Sequence, residues 1–471
     1  MTLFTLRDAA LQIPGAIIIG DENVTFDRVS TDSRTAGPGD LFIAIKGDRF
    51  DAHNFLPQVA QRGVAAVLAT RAPDDFTVPE IKVKDTRVAL GALAYGWRKR
   101  FTIPLIAVTG SNGKTTVKEM IASILAAAVG ESARLATAGN FNNDIGLPLT
   151  LFRLNETHKL AVIELGMNHP GETETLGKIA TPTVAVVNNA QREHQEFMAT
   201  VEAVVLEHAS VIHALAVNGT AVFPADDKYA SIWHVAATGN PILDFALHTD
   251  ASQTEAAVIG KLVGANLEIN TPQGSLDVAL QVLGEHNARN ALAATAAAIA
   301  ANVSLDAVKR GLEAFKPVKG RLQVKRAVLT PLEGATVIDD TYNSNPDSMR
   351  AAINVLAAAQ PSPRVLVMGD MGEVGDQGPT FHREVGAYAA QRGIDALYAL
   401  GDASFDSAKA FGATAQHFTD IASLIAALTG AGFGPDATFL VKGSRFMQME
   451  RVVDAVTSPH QPAAGATPAA H

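Results

Sequence analysis

The chain has 471 residues, 47% of them hydrophobic and 18% charged, enough to bury the cores of roughly two to four domains. A formal net charge of −10 speaks against a nucleic-acid partner, which needs a basic face, and the absence of cysteine excludes disulfides, zinc thiolates and thiol nucleophiles. No apolar run approaches the roughly 18 residues of a membrane span, and no basic segment leads into an apolar core at the N-terminus, so a soluble cytoplasmic protein is expected.

Residues 1–100 alternate short strand-like runs (41–45, 65–69, 81–83) with loops rich in Gly, Asp and Pro, which predicts a small α/β domain. Residues 104–109 then read as a buried strand. After it, Val117, Met120, Ile121, Ile124, Leu125 and Ala128 recur at helical spacing. Between strand and helix lie Thr109, Gly110, Ser111, Asn112, Gly113, Lys114, Thr115 and Thr116, a P-loop-like cradle. Such a loop aims backbone N–H groups at a phosphate, its lysine meets the terminal phosphates, and its hydroxyl meets Mg²⁺. The general pattern wants glycine where Val108 stands, so the loop is a shortened variant.

Further along, residues 138–146 form a loop of amides and glycines, including Asn140 and Asn143, suited either to reading sugar hydroxyls or uracil or simply to making turns. Glu164 ends an apolar strand and either faces Mg²⁺ or is a capping or salt-bridged residue at the strand end. His194 follows the strand ending at Asn188 and Asn189 and is either a metal ligand or a surface imidazole. Residues 199–215 and 287–301 read as alanine-rich helices, and 216–283 as several strands without evident chemistry. Strands alternating with helices over 101–320 imply a mostly parallel, P-loop ATPase-like sheet. From 321 to 457 the alternation restarts with strands near 336–339, 365–368, 397–400 and 439–441, a Rossmann-like domain with its ligand edge at the strand C-termini. There the Asp339-Asp340 pair either holds ribose hydroxyls or caps a helix. A tail over 458–471, poor in large apolar residues, is expected to be disordered.

Taken together, these strings resemble the Mur ligase family from about residue 25 to 455. The cues are Thr31-Asp32-Ser33-Arg34, Gly39-Asp40-Leu41-Phe42, the P-loop, Glu164-Leu165-Gly166, His286 to Asn290, and Gly320-Arg321. Residues 139–146, 339–346, 369–373 and 441–445 point within the family to the branch that joins D-alanyl-D-alanine to UDP-N-acetylmuramoyl-tripeptide. The resemblance implies ATP and Mg²⁺ as cofactors, an acyl-phosphate intermediate, and an α/β chain of three domains: a UDP-muramoyl domain over 1–100, a central ATP domain over 101–320, and the C-terminal domain over 321–457. It implies Lys114, Glu164 and His194 as the catalytic set, with Thr115, Glu164 and His194 on the metal. Asn287 and Asn290 would contact adenine, Arg321 the phosphates and Asp340 the ribose. Thr31, Ser33, Arg34, Asn140 and Asn143 would line the nucleotide-sugar site, and Asn345, Asp370 and Lys442 would meet the dipeptide. A monomer is expected. One departure stands out: where the family carries a carbamylated lysine, fourteen residues past the metal histidine, this chain has His208 beside Glu207, and one of these is expected to substitute.

Overall fold

In the computed structural model, which describes residues 2–458 apart from positions 48, 251, 265 and 361, mixed and parallel sheets follow one another along the chain with helices against them. The tail expected over 458–471 lies, after Ser458, outside the described residues.

The first sheet holds β1 (Ile17–Ile19), β2 (Arg28–Ser30), β3 (Asp40–Ile43), β4 (Ala66–Ala69) and β5 (Glu80–Lys82) in the order β1-β5-β4-β3-β2. Only β1 runs antiparallel to its neighbour. Helix α1 (Thr86–Arg98) follows, started by Asp85, whose carboxylate accepts the N–H groups of Arg87 and Val88. Trp97, fully buried, donates its indole N–H to Leu154 O at 3.1 Å, and Arg98 Nε donates to Ala180 O at 3.2 Å. The first domain therefore shares one hydrophobic cluster with a face of the second.

The central sheet is wholly parallel: β6 (Leu105–Thr109), β7 (Arg134–Ala136), β8 (Leu160–Glu164), β9 (Val184–Val187) and β10 (Thr220–Val222), in the order β10-β9-β6-β8-β7. Leu105 and Ala107 of β6 belong to the cluster on one face, Ile106 and Val108 to the cluster on the other. A strand apolar on both faces needs cover on both. Helices α2 (Lys114–Val129) and α5 (Glu285–Ala300) cover the second face; α3 (Glu172–Ala180) and α4 (Val201–His213) lie with the first. Because chain order reverses around β6, a crevice opens at its C-terminal end. The strand-like region 216–283 supplies β10 and a separate four-stranded sheet, β11 (Phe245–His248) to β14 (Gly274–Ala279) through β12 (Val258–Val263) and β13 (Asn266–Thr271). Helix α6 (Leu305–Ala314) packs on α2.

The last sheet contains β15 (Gln323–Arg326), β16 (Thr336–Asp340), β17 (Arg364–Gly369), β18 (Ala396–Leu400), β19 (Ala415–Phe418) and β20 (Thr438–Lys442), ordered β15-β16-β20-β17-β18-β19, with only β15 antiparallel. Register sets Asp340 opposite Lys442 at the ends of β16 and β20. Helices α7 (Pro346–Ala358), α8 (Gly378–Gln391) and α9 (Phe405–Phe411) follow β16, β17 and β18 in turn. The strand C-termini of this domain face the P-loop end of the central sheet, and the site lies between them.

Candidate active site between the central and C-terminal domains

The loop after β6 is built for close approach. Gly113 has φ of 82°, and a Cβ there would lie 2.6 Å from Asn290 Oδ1 and 2.7 Å from Asn188 Nδ2, so only glycine fits. Asn188 Nδ2 donates to Asn112 O at 2.8 Å and to Asn290 Oδ1 at 2.9 Å; Asn189 Nδ2 also donates to Asn112 O. No side chain among the described residues caps the start of α2, leaving its first-turn N–H groups available to an anion. Lys114 Nζ is folded onto the loop, donating to Gly110 O, to Ser111 O at 3.3 Å and to Glu193 Oε1 at 3.2 Å.

Two cavities adjoin across this loop. The smaller, about 300 Å³, takes Asn112, Gly113 and Thr116 from the P-loop unit, Asn287, His286 and Asn290 from α5, and Arg321, Asp340 and Lys442 from the C-terminal side. Lys442 is buried, and its ammonium donates to Asp340 Oδ2 at 2.7 Å and Asn343 O at 2.8 Å. Burial lowers the Lys442 pKa, with Asp340 opposing. Burial also lowers that of His286, to about 4, so this imidazole is neutral near pH 7.

The larger cavity, about 1050 Å³, is lined by Lys114, Thr115, Asn140, Asn143, Glu164, His194, Arg321, Asn345 and Lys442, among others. Glu164 is buried; its Oε1 accepts from Asn142 Nδ2 at 2.8 Å, and its Oε2 has no hydrogen-bond partner among the described residues. Glu193 is buried too, between Lys114 and His208, whose Nε2 lies 3.9 Å from Glu193 Oε2. Burial pushes the Glu193 carboxyl up, but Lys114, His208 and His194 outweigh it and leave the net shift downward. His194 has φ of 47° and sets Nδ1 2.8 Å from Glu373 Oε2 of the C-terminal domain. That partner, ahead of burial in the opposite sense, lowers the Glu373 pKa. Arg321 lies over the Tyr342 ring at 4.2 Å and reaches Thr115 Oγ1 at 3.4 Å.

Buried carboxylate oxygens on Glu164 and Glu193 that have no hydrogen-bond partner among the described residues, in one cavity with the Thr115 hydroxyl, are hard donors of the kind Mg²⁺ takes. No group of three or more acidic or His side chains among the described residues stands ready to hold an ion unaided. That suits a cation that keeps water and substrate phosphate among its ligands.

Residues 108–298 match the model of the Mur ligase middle domain, 320–445 that of the Mur ligase glutamate ligase domain, and 25–98 that of the Mur ligase family catalytic domain. A UDP-N-acetylmuramoyl-tripeptide–D-alanyl-D-alanine ligase of Haemophilus influenzae is 39% identical over 448 residues, 94% of this chain and 96% of that one. The chain belongs to the Mur ligase family. The ligase of the same description from Escherichia coli is 40% identical over 438 residues, 92% of this chain and 94% of its own. Among solved Mur ligases, a crystal structure of MurF from Acinetobacter baumannii superposes with a TM-score of 0.87 at 34% identity, covering 98% of this chain and 99% of that one. MurF ligase from Thermotoga maritima in complex with ADP superposes at 0.80 with 26% identity, covering 91% and 96%.

Not every residue singled out in the sequence of this Mur ligase meets at the two cavities. Thr31, Ser33 and Arg34 line neither, and Arg34 is engaged by Asp32 in a two-pronged ion pair. Asp370 also lines neither: its carboxylate accepts the N–H groups of Ser404 at 2.7 Å and Ala403 at 3.3 Å, holding the turn before α9. Of the two candidates for the missing lysine, Glu207 is committed elsewhere, accepting from Gly171 N and Thr173 N at the start of α3. His208 lies under the P-loop, its Nδ1 2.9 Å from Thr109 Oγ1. The carboxylate facing Lys114 is instead Glu193, which the sequence left without a role. So, too, with Asn188, Asn189, Gln191 and Arg192, whose cue was a polar run directly after the strand neighbouring β6.

Proposed function

We propose that this chain is an ATP-dependent ligase that joins D-alanyl-D-alanine to UDP-N-acetylmuramoyl-tripeptide in peptidoglycan precursor synthesis. The observation that carries the reading is one loop: Asn112 and Gly113 line both a nucleotide-sized cavity and a larger one, Lys114 faces the larger, and the C-terminal domain completes both. The relatives at 39% and 40% identity bear the same description across nearly their whole lengths.

In this reading the nucleotide enters the smaller cavity, with Asn287 and Asn290 toward the base, Asp340 toward the ribose and Arg321 toward the phosphates. The N–H groups of Gly113 to Thr116 face the β-phosphate, and Lys114 leaves its loop carbonyls to neutralise charge on the γ-phosphate. Thr115 and Glu164, with His194 nearby, would hold Mg²⁺, which supplies further charge neutralisation at the transferring phosphoryl group. The tripeptide carboxylate, delivered from the N-terminal domain past Asn140 and Asn143, attacks the γ-phosphorus and ADP leaves. The amine of D-alanyl-D-alanine, brought by the C-terminal domain near Asn345, then attacks the acyl carbon. Inorganic phosphate departs, the amine loses a proton, and a peptide bond remains. Positioning and electrostatics carry most of such a reaction. Both the nucleotide-linked substrate and ATP place it in the cytoplasm.

An assay of ADP release tests the proposal. Release requires UDP-N-acetylmuramoyl-tripeptide and D-alanyl-D-alanine together, and mass spectrometry finds the pentapeptide product. Release with neither substrate, or with a folate and glutamate instead, would reject it. Running the assay with diaminopimelate- and lysine-containing tripeptides identifies the third residue.

A further inference from the structure

Arg192 directly precedes Glu193 and His194, on a segment stitched to the P-loop. Gln191 N–H donates to Ser111 Oγ at 2.8 Å, and Asn112 Nδ2 donates to Gln191 Oε1 at 2.6 Å. The Arg192 guanidinium, by contrast, reaches out of the central domain. It donates to Asp347 from Nε at 3.1 Å and from a terminal nitrogen at 2.5 Å, and to Glu384 at 2.7 and 3.1 Å, and it packs over the Phe381 ring at 5.1 Å. Its backbone N–H also donates to Asp347 Oδ2 at 2.9 Å.

Asp347 sits in the first turn of α7, whose N-cap Asn345 donates to Asn112 Oδ1 at 2.9 Å. One helix start thus touches the P-loop and the Glu193 segment at once. Glu384 lies on α8, outside both cavities, with its side chain 34% exposed. A planar guanidinium gripping two carboxylates on two helices fixes orientation as well as distance. Burial alone would lower the Arg192 pKa, and the two carboxylates raise it instead.

We infer that Arg192 is a positioning residue that registers the docked C-terminal domain and passes that register along the chain to the next two residues, Glu193 and His194. The groups around the γ-phosphate are then assembled when the domain that brings the amine is seated. The inference rests on the ligase reading. It gives a reason for the pairing of Glu384, which lines neither cavity, with the same guanidinium as Asp347, which lines only the smaller one.

The test compares Arg192→Gln, Glu384→Gln and the double variant. Arg192→Gln lowers kcat about tenfold or more and raises KM for D-alanyl-D-alanine, while titration with UDP-N-acetylmuramoyl-tripeptide in the absence of ATP gives the wild-type affinity. Glu384→Gln, isosteric and at a part-exposed position, moves kcat and KM the same way, and the double variant is no worse than Arg192→Gln. Small-angle scattering with ADP shows both single variants more extended than wild type. Losses that multiply in the double variant, or a Glu384→Gln enzyme with wild-type kinetics and scattering, would overturn the inference even if Arg192→Gln does not fold. Wild-type dependence on both substrates checks the ligase reading separately.

Discussion

Glu193 Oε1 lies 3.2 Å from Lys114 Nζ, so in this structure the P-loop lysine is held by a buried carboxylate and by its own loop carbonyls. Its ammonium must exchange these partners for phosphate oxygens. Lys114→Met keeps the length of the side chain and removes the charge. It is expected to lower kcat by about 100-fold or more, while the affinity for UDP-N-acetylmuramoyl-tripeptide, measured by calorimetric titration, stays within about twofold. Retained turnover would remove Lys114 from the phosphate site.

Glu164 offers one oxygen to Asn142, and the other has no hydrogen-bond partner among the described residues. Glu164→Gln preserves shape but loses the charge that would attract a cation. The expected outcome is a half-saturating Mg²⁺ concentration raised about tenfold, a loss typical of a removed metal-site partner, with thermal stability unchanged or improved, since a buried unpaired charge has gone. An unaltered Mg²⁺ dependence counts against a metal role.

His286 is pressed between the domains beside Asp340 and Lys442, and its pKa falls from the usual 6.5 to about 4, chiefly through burial. The folded state thus resists protonation that the unfolded chain accepts. Stability from this group is complete above about pH 6.5 and declines as pH falls toward 4. Between pH 7 and 5 the loss is roughly 1–2 kcal/mol. Denaturant unfolding of wild type and His286→Gln at the two pH values measures it: the variant's loss over this interval is smaller by that amount.

Gly386 of α8 sits where helix α9 crosses it. A Cβ at this position would lie 2.1 Å from Ser407 O, a backbone atom that cannot step aside alone. Gly386→Ala should therefore cost about 1–3 kcal/mol, read as a lower unfolding midpoint, although alanine is the better helix former. A neutral effect would mean that the two helices separate freely.

The strand, loop and helix around Lys114 were legible because apolar periodicity changes abruptly at Gly110 and resumes with helical spacing, a local signal. The family, too, was legible, from ordered strings spread over most of the chain. What the sequence could not supply was direction. Adjacent residues on a helix point about 100° apart, so Glu207 and His208 were equal candidates on paper; folded, one holds the start of α3 and the other supports the P-loop floor. An acid at a strand end serves a ligand or a turn with equal ease: Asp340 lines a cavity, whereas Asp370 holds the turn before α9. Glu193 was illegible for another reason. Its importance comes from Lys114 and His208, distant in sequence, and no local pattern announces such a meeting.

Trp97 and Arg98 end a helix that belongs to the first domain by sequence and bury themselves against the second. The two domains consequently share one apolar cluster, although each keeps another of its own, around Phe42 and Leu56 in the first and around Ile106 and Val108 in the second. Melting of the first domain is therefore expected to expose the shared face of the second and to lower its stability. Recombining its N-terminal region with that of another family member would require carrying the partner surface of Leu154 and Ala180 along with it.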